Sequence, residues 1–207
     1  MSQKTSDLSN ANLDPAEAKA VCRMLAAQNR DHLAASETDA APLLATHAGS
    51  LIGRFGKGIY AAYFPIRSEL SPLDLLARLA DLGCATALPV TPAEGQPLRF
   101  HRWAVGDRLD DGPYGTKQPP ADQPLCRPDV ILAPMLGFDS AGWRLGYGGG
   151  FYDRTLAVLR GVGHHLSVIG IAYDGQKLDK IPVGPYDMPL DAVLCPTGLF
   201  TPLTPQG

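Results

Sequence analysis

Between Arg144 and Arg154 the chain reads RLGYGGGFYDR. Four glycines, Gly146 and Gly148 to Gly150, stand among Tyr147, Phe151 and Tyr152, and Asp153 follows at once. Glycine lets the backbone take positive φ and come close to a ligand. The apolar stretch DVILAPML precedes the run, and YDRTLAVLRG after it has the make-up of a helix. A helix N-terminus presents unpaired N–H groups and partial positive charge, so strand, glycine loop and helix in that order suit a phosphate or another anion. Asp153 at the helix start can ligate Mg2+ while phosphates bridge to the metal. The aromatics can wall a flat ligand. A plainer reading uses the same residues: glycines can serve the turn alone, and an aspartate near a helix start is favourable without any metal. The spacing is neither G-x-x-x-x-G-K-[ST] nor G-x-G-x-x-G, because Phe151 holds the last position. GRFGKG (53–58) also fails as a P-loop, since Gly58 stands where Ser or Thr is required.

The elements around this run alternate between helix and strand. Asp14 as cap, Pro15 at the first helical position and Glu17 at the capping-box position start a helix that runs to about Ala35. Val21, Met24 and Leu25 are its expected inner face. A second helix is expected from Asp39 to about Ile52, and a third from Ser71-Pro72 to Gly83, with Leu75, Leu76, Leu79 and Leu82 on one face. Strands are expected at 58–66, 84–90, 99–105, 129–136, 166–173 and 192–195, with an irregular loop over 106–128. The last three are apolar throughout, as strands buried on both faces are. The fold class is therefore α/β, a three-layer sandwich with a mostly parallel central sheet and helices on both faces. In such sheets ligands gather beyond the carboxyl ends of the strands. One domain over 14–200 is expected, with a mobile N-terminal tail (1–13) and a C-terminal tail (201–207).

Composition narrows the function classes. With 45% hydrophobic and 19% charged residues and a net charge of -3, the 207-residue chain has a soluble, globular make-up and lacks the basic excess of a nucleic-acid binder. No apolar run reaches the roughly 18 residues of a membrane span. The polar start MSQKTSDLSNANLD has no apolar h-region, so a cytoplasmic protein is expected. Cys22, Cys84, Cys126 and Cys195 form no C-x-x-C pair, which points to reduced thiols rather than zinc or a redox dithiol.

The segment DVILAPMLGFDSAGWRLGYGGGFYDR resembles the signature of the 5-formyltetrahydrofolate cyclo-ligase family. Phe138, Asp139, Gly142, Arg144, Leu145, Gly146, Gly148, Gly150, Tyr152 and Asp153 match it. The likeness runs on through IGIAYDGQ and IPVGPYDMPLDAVL, and upstream takes in YGTKQPP, LPV and the first helix. It implies an enzyme that uses ATP and Mg2+ to turn 5-formyltetrahydrofolate into 5,10-methenyltetrahydrofolate, with a reduced folate and ATP as small-molecule substrates and a monomer as the expected state. It implies that Arg144, Leu145, Gly146, Tyr147, Gly148, Gly149, Gly150, Phe151 and Tyr152 bind ATP, the stretch from Tyr147 to Phe151 touching folate as well. Lys19 and Arg23 match the family's basic nucleotide-binding pair, and with Arg144 they are the implied catalytic cations. Being four apart, Lys19 and Arg23 share a helix face. Phe64 and Glu69 match folate contacts; a carboxylate can accept paired hydrogen bonds from an amino-pyrimidine edge. Asp153 and Asp187 match magnesium positions, although Asp187 is equally suited to a turn. Two positions depart from the family: Gln118 stands where a glutamate is usual, and Gly184-Pro185 where acidic residues are common. Two further readings are a same-fold ATP-dependent enzyme acting on another formamide and a non-catalytic domain that binds a phosphorylated metabolite.

Overall fold

The computed structural model describes residues 15–161 and 163–202. The expected N-terminal tail, the Asp14 cap and residues 203–207 lie outside the described residues.

Apolar alternation builds the centre of the fold. β7 (Val130–Pro134) sends Val130 and Leu132 to one face of the sheet and Ile131 and Ala133 to the other. β10 (Ser167–Ile171) and β11 (Ala192–Cys195) divide their side chains in the same way, as a period of two requires. With β1 (Ile59–Ala61) and β2 (Ala85–Val90) they form a parallel block in the order β11, β10, β7, β1, β2. Antiparallel edges close it: β12 (Gly198–Phe200) beside β11, and β3 (Arg99–Arg102) with β6 (Leu125–Cys126) beyond β2.

Helices cover both faces, as the three-layer reading expects. α2 (Ala40–Ala45), α3 (Ala48–Phe55) and α4 (Leu73–Asp81) pack Leu44, Leu51, Leu75, Leu76 and Leu79 on the face of Val130 and Leu132. α5 (Phe151–Gly161) packs Leu156 on the face of Ile131 and Val193. α4 lies between β1 and β2, and α5 between β7 and β10, so the two crossovers step in opposite directions from the centre. A right-handed crossover stepping the other way falls on the other face. β1 and β7 are thus the neighbours at which the order reverses, and the crevice opens beyond their carboxyl ends.

Four expectations change. The helix read over 39–52 is two, because Thr46 and His47 donate their N–H groups three residues back, to Leu43 and Leu44, and the turn tightens there. The strand read over 58–66 stops at Ala61, and Tyr63 and Phe64 beyond it leave the sheet to line a cavity. The stretch 106–128 is not wholly irregular: β4 (Asp110–Asp111) and β5 (Lys117–Gln118) pair as a hairpin around a 3-10 turn at Pro113–Gly115. Finally α1 (Pro15–Ser36) faces the other way. Met24 and Leu25 are exposed, while Ala26 and Arg30 are buried. At about 100° per residue, Lys19, Arg23, Ala26 and Arg30 fall within a narrow stripe, and Met24 and Leu25 lie opposite. This helix turns a basic stripe inward, which an apolar count cannot register.

Candidate active site

The glycine run leaves the sheet through a small hairpin, β8 (Gly137–Phe138) and β9 (Arg144–Leu145). Buried Asp139 organises its turn: Oδ1 accepts the amides of Ala141 and Trp143, and Oδ2 accepts that of Ile181 at 3.1 Å. Buried Gln176 donates to the carbonyls of Met135 and Leu136 from below, each at 3.0 Å. The loop that follows is thus anchored at its base and open along its top. Gly148 and Gly150 take φ of 97° and 65°, where L side chains are strained. A Cβ at Gly146 would meet nothing within 4 Å, so packing does not require a glycine there. Arg154 closes the far side, donating to the Gly149 carbonyl at 2.7 Å with its guanidinium over the Phe151 ring.

A cavity of about 590 Å³ lies at this crevice. It is lined by Lys19, Arg23, Phe64, Glu69, Arg144, Gly146, Tyr147, Gly148, Gly149, Gly150, Phe151, Tyr152, Asp153 and Asp187. Every residue that the family resemblance implies for ATP, folate or metal is there except Leu145. Its side chain is fully buried against Leu136 and Ile181, and its carbonyl is taken by the Leu136 amide, so it supports the loop from within.

Each end of the cavity has its own electrostatics. At one end Lys19 Nζ meets Asp187 Oδ2 at 2.6 Å, and Arg23 Nε donates to the Gly146 carbonyl at 3.0 Å. Arg144 donates to the Met188 carbonyl at 2.6 Å and pairs with Asp153, whose Oδ1 also accepts the Met188 amide. Burial pulls the Arg144 guanidinium below its usual value, against the neighbouring Asp153 charge. Burial acts to raise the Asp187 carboxyl, yet hydrogen bonds from Lys19 and Gly184 outweigh it and hold that carboxyl below its ordinary value. Among the described residues no group of three or more His, Cys, Asp or Glu could hold a metal. Asp153 and Asp187 do not make an all-protein cage; they could hold only a metal that takes most of its oxygen ligands from elsewhere, as Mg2+ does.

The other end is aromatic, around a buried carboxylate. Glu69 Oε2 accepts the Ile66 amide and Oε1 the Tyr147 hydroxyl, both at 2.9 Å. Burial pushes the Glu69 carboxyl up, against those bonds and the charges of Arg30 and Arg67. Burial and the Glu69 charge push Tyr147 up to about 12 and hold Tyr63 and Tyr152 well above the usual phenol value, so all three are neutral donors near pH 7. Sequence reasoning missed Arg30, Tyr63, Arg67, Tyr114 and Lys117, of which all but Arg30 line the cavity. Only Arg30 had left a signal, a spacing of seven from Arg23 that puts it on the same helix face. Gln118 is not at the cavity; its Oε1 accepts the Thr91 amide at 3.2 Å, a task for an uncharged acceptor as much as for a carboxylate. His101 and His164 bond backbone carbonyls of Gln123 and Pro128, away from the cavity. All four cysteines are free thiols, and no described helix is long and apolar enough to cross a membrane.

Fold and site together define an α/β protein with a polar and aromatic cavity at the switch point of a parallel sheet. More particularly, the chain belongs to the 5-formyltetrahydrofolate cyclo-ligase family, whose model matches residues 16–196. It is 36% identical over 147 residues to a 5-formyltetrahydrofolate cyclo-ligase of Mycolicibacterium smegmatis, covering 65% of this chain and 72% of that protein. To the protein of that name from Escherichia coli it is 34% identical over 145 residues, 68% and 79% of the two chains. Its fold matches that of the 5,10-methenyltetrahydrofolate synthetase of Aquifex aeolicus with a TM-score of 0.70 at 23% identity, over 91% of this chain and 95% of the other. The synthetase of Mycoplasma pneumoniae gives 0.68 at 23% identity, over 86% and 98%.

Proposed function

We propose that this protein cyclises 5-formyltetrahydrofolate to 5,10-methenyltetrahydrofolate at the expense of ATP, with release of ADP and phosphate. A formamide is a poor electrophile, because nitrogen feeds its carbonyl carbon, and its oxygen is a poor leaving group. On this reading the formyl oxygen attacks the γ-phosphorus, ADP departs, and the oxygen becomes part of a phosphate ester. N10 of the folate then attacks the activated carbon and gives up its proton to the solvent, and phosphate leaves with that oxygen, closing the methenyl bridge. The protein's task is to hold the two substrates in line and to neutralise charge on the moving phosphoryl group.

The glycine-loop amides, Lys19, Arg23 and Arg144 suit the phosphates. Asp153 and Asp187 would hold Mg2+, which supplies further neutralisation of phosphate charge. Phe64, Glu69 and Tyr147 suit the pterin, Glu69 as acceptor for its N–H edge. The observation that carries the reading is the convergence of both residue sets on one cavity, cations and glycines at one end and a buried carboxylate among aromatics at the other.

The test is to mix the protein with 5-formyltetrahydrofolate, ATP and Mg2+ and follow the absorbance of the methenyl product. Product that requires ATP is expected. No product from folded protein that binds ATP would overturn the reading and turn the search to another amide.

A further inference from the structure

Arg30 is the deepest charge in the molecule's functional half, with 2% of its surface exposed. It stands on α1 in the same stripe as Lys19 and Arg23 but lies behind the Glu69 end of the cavity, which it does not line. Its Nη1 lies 3.9 Å from Glu69 Oε1, a pair in which both side chains are almost fully buried. Nε donates to Ser68 Oγ at 3.1 Å, and Ser68 in turn donates to Asp31 on α1. Nη1 also approaches the Met135 carbonyl at 3.4 Å, just past β7, and the guanidinium lies 5.3 Å from the centre of the Tyr147 ring. One side chain thus touches the Ser68–Glu69 turn, the end of the central strand and the glycine loop.

Glu69 needs such a neighbour. A carboxylate offers acceptors on both oxygens, whereas a carboxylic acid gives up one of them to its own proton. Both oxygens already accept bonds, from the Ile66 amide and the Tyr147 hydroxyl. The charged and titratable groups that face it are Arg30 from α1, Arg67 from its own turn, Tyr63 beyond β1, Tyr147 from the glycine loop and Tyr152 from α5. The three tyrosines are neutral, and Arg67 is exposed at the cavity mouth. Arg30 alone is a buried cation held by several bonds.

We propose that Arg30 is a positioning residue of the folate half of the site: it fixes the Glu69 carboxylate as a two-oxygen acceptor and fixes Tyr147 beside it. This rests on the assignment of that end of the cavity to the pterin. Arg30 does not touch substrate on this account, and its work is carried by Glu69.

Arg30→Met and Arg30→Lys, each with the wild type, test this by equilibrium binding of 5-formyltetrahydrofolate and of ATP, measured separately from pH 5 to 9. Removing the cation makes Glu69 easier to protonate, so the loss of folate affinity on acidification moves to higher pH. Arg30→Met is expected to bind folate about tenfold more weakly at pH 7, to recover part of that loss as pH rises, and to bind ATP within about twofold of the wild type. Arg30→Lys keeps the charge without the fork. It is expected to keep the wild-type pH profile at a reduced affinity, and it carries the test should Arg30→Met not fold. A folate pH profile in Arg30→Met that coincides with the wild type overturns the proposal, as does an equal fall in ATP and folate affinity. Wild-type protein that binds no 5-formyltetrahydrofolate instead overturns the pterin assignment itself.

Discussion

Asp153 carries two tasks on the proposed reading, and two substitutions separate them. Its Oδ1 holds the buried Arg144 guanidinium and the Met188 amide, while its place at the start of α5 suits Mg2+. Asp153→Ala removes both functions. It leaves Arg144, with 6% of its side chain exposed, on the Met188 carbonyl alone among its described partners. Breaking a buried pair in this way costs about 3–5 kcal/mol, and because Asp153 keeps 24% of its side chain in solvent the expected cost is about 2–3 kcal/mol. For a chain of this size that is a fall of about 5–10 °C in Tm. Asp153→Asn keeps an oxygen for Arg144 and Met188 and loses only the charge, so about 1 kcal/mol is expected. It also loses the hard anionic donor, so Mg2+-dependent turnover falls by about 100-fold. Thermal unfolding and the methenyl absorbance assay, run on both variants, separate the tasks. An Asp153→Ala protein as stable as the wild type would sink the account of Arg144. An Asp153→Asn protein with turnover within about threefold of the wild type would sink the metal role.

Three further outcomes are expected. Gly148→Ala forces a Cβ onto a φ of 97° with Arg23 Cζ 3.4 Å away; it should cost about 1–2 kcal/mol in unfolding and weaken ATP binding more than folate binding, and equal weakening of both would refute this. The Asp187 carboxyl is held below its ordinary value, so its pair with Lys19 contributes fully above the unfolded value of about 3.9 and is lost only as pH falls through the lower folded value; an NMR titration of its carboxyl carbon with a midpoint at or above that value contradicts the pairing. Met24→Gln and Leu25→Gln, on the outward face of α1, should each change stability by no more than about 0.5 kcal/mol in denaturant unfolding, whereas a loss near that of a core residue would mean that the stripe is assigned to the wrong side.

What could be read from the sequence divides along a physical line. β7, β10 and β11 were legible because an apolar run bounded by turn residues has few alternatives once both faces are covered. The glycine loop was legible as a loop because Gly148 and Gly150 take a positive φ that other residues adopt only with strain. α1 was misjudged because an apolar count assumes that a helix buries its apolar face, and this one turns Lys19, Arg23 and Arg30 inward against partners far along the chain. Asp187, Gly146 and Glu69 lie 168, 123 and 39 residues away, so nothing local marks them as neighbours. β1 was overrun for a related reason. Tyr63 and Phe64 look like strand residues, but they belong to the cavity wall, and the left-handed turn at Arg67 carries no glycine to announce it. The β4–β5 hairpin hid in a stretch rich in Gly, Pro and Asp because its strands have two residues each.

The geometry of α1 bears on how the two ends of the cavity are kept in step. Lys19 and Arg30 are eleven residues apart, about 16 Å along a helix axis. Lys19 and Arg23 hold Asp187 and the glycine loop at one end, and Arg30 holds Glu69 at the other. A helix transmits its length and its phase rigidly, so these three cations cannot adjust independently. A one-residue change in spacing would turn Arg30 by about 100° and take it off Glu69. On the proposed reading, phosphoryl transfer to a formyl oxygen requires two separately bound molecules to meet with their reacting atoms about 3 Å apart. Loops that each hold one substrate would leave that distance to chance. An element that spans both, and is pinned to each by a charged bond, sets the distance before either substrate arrives. On the proposed reading this is what the helix gains by turning its charged side inward and leaving Met24 and Leu25 in solvent.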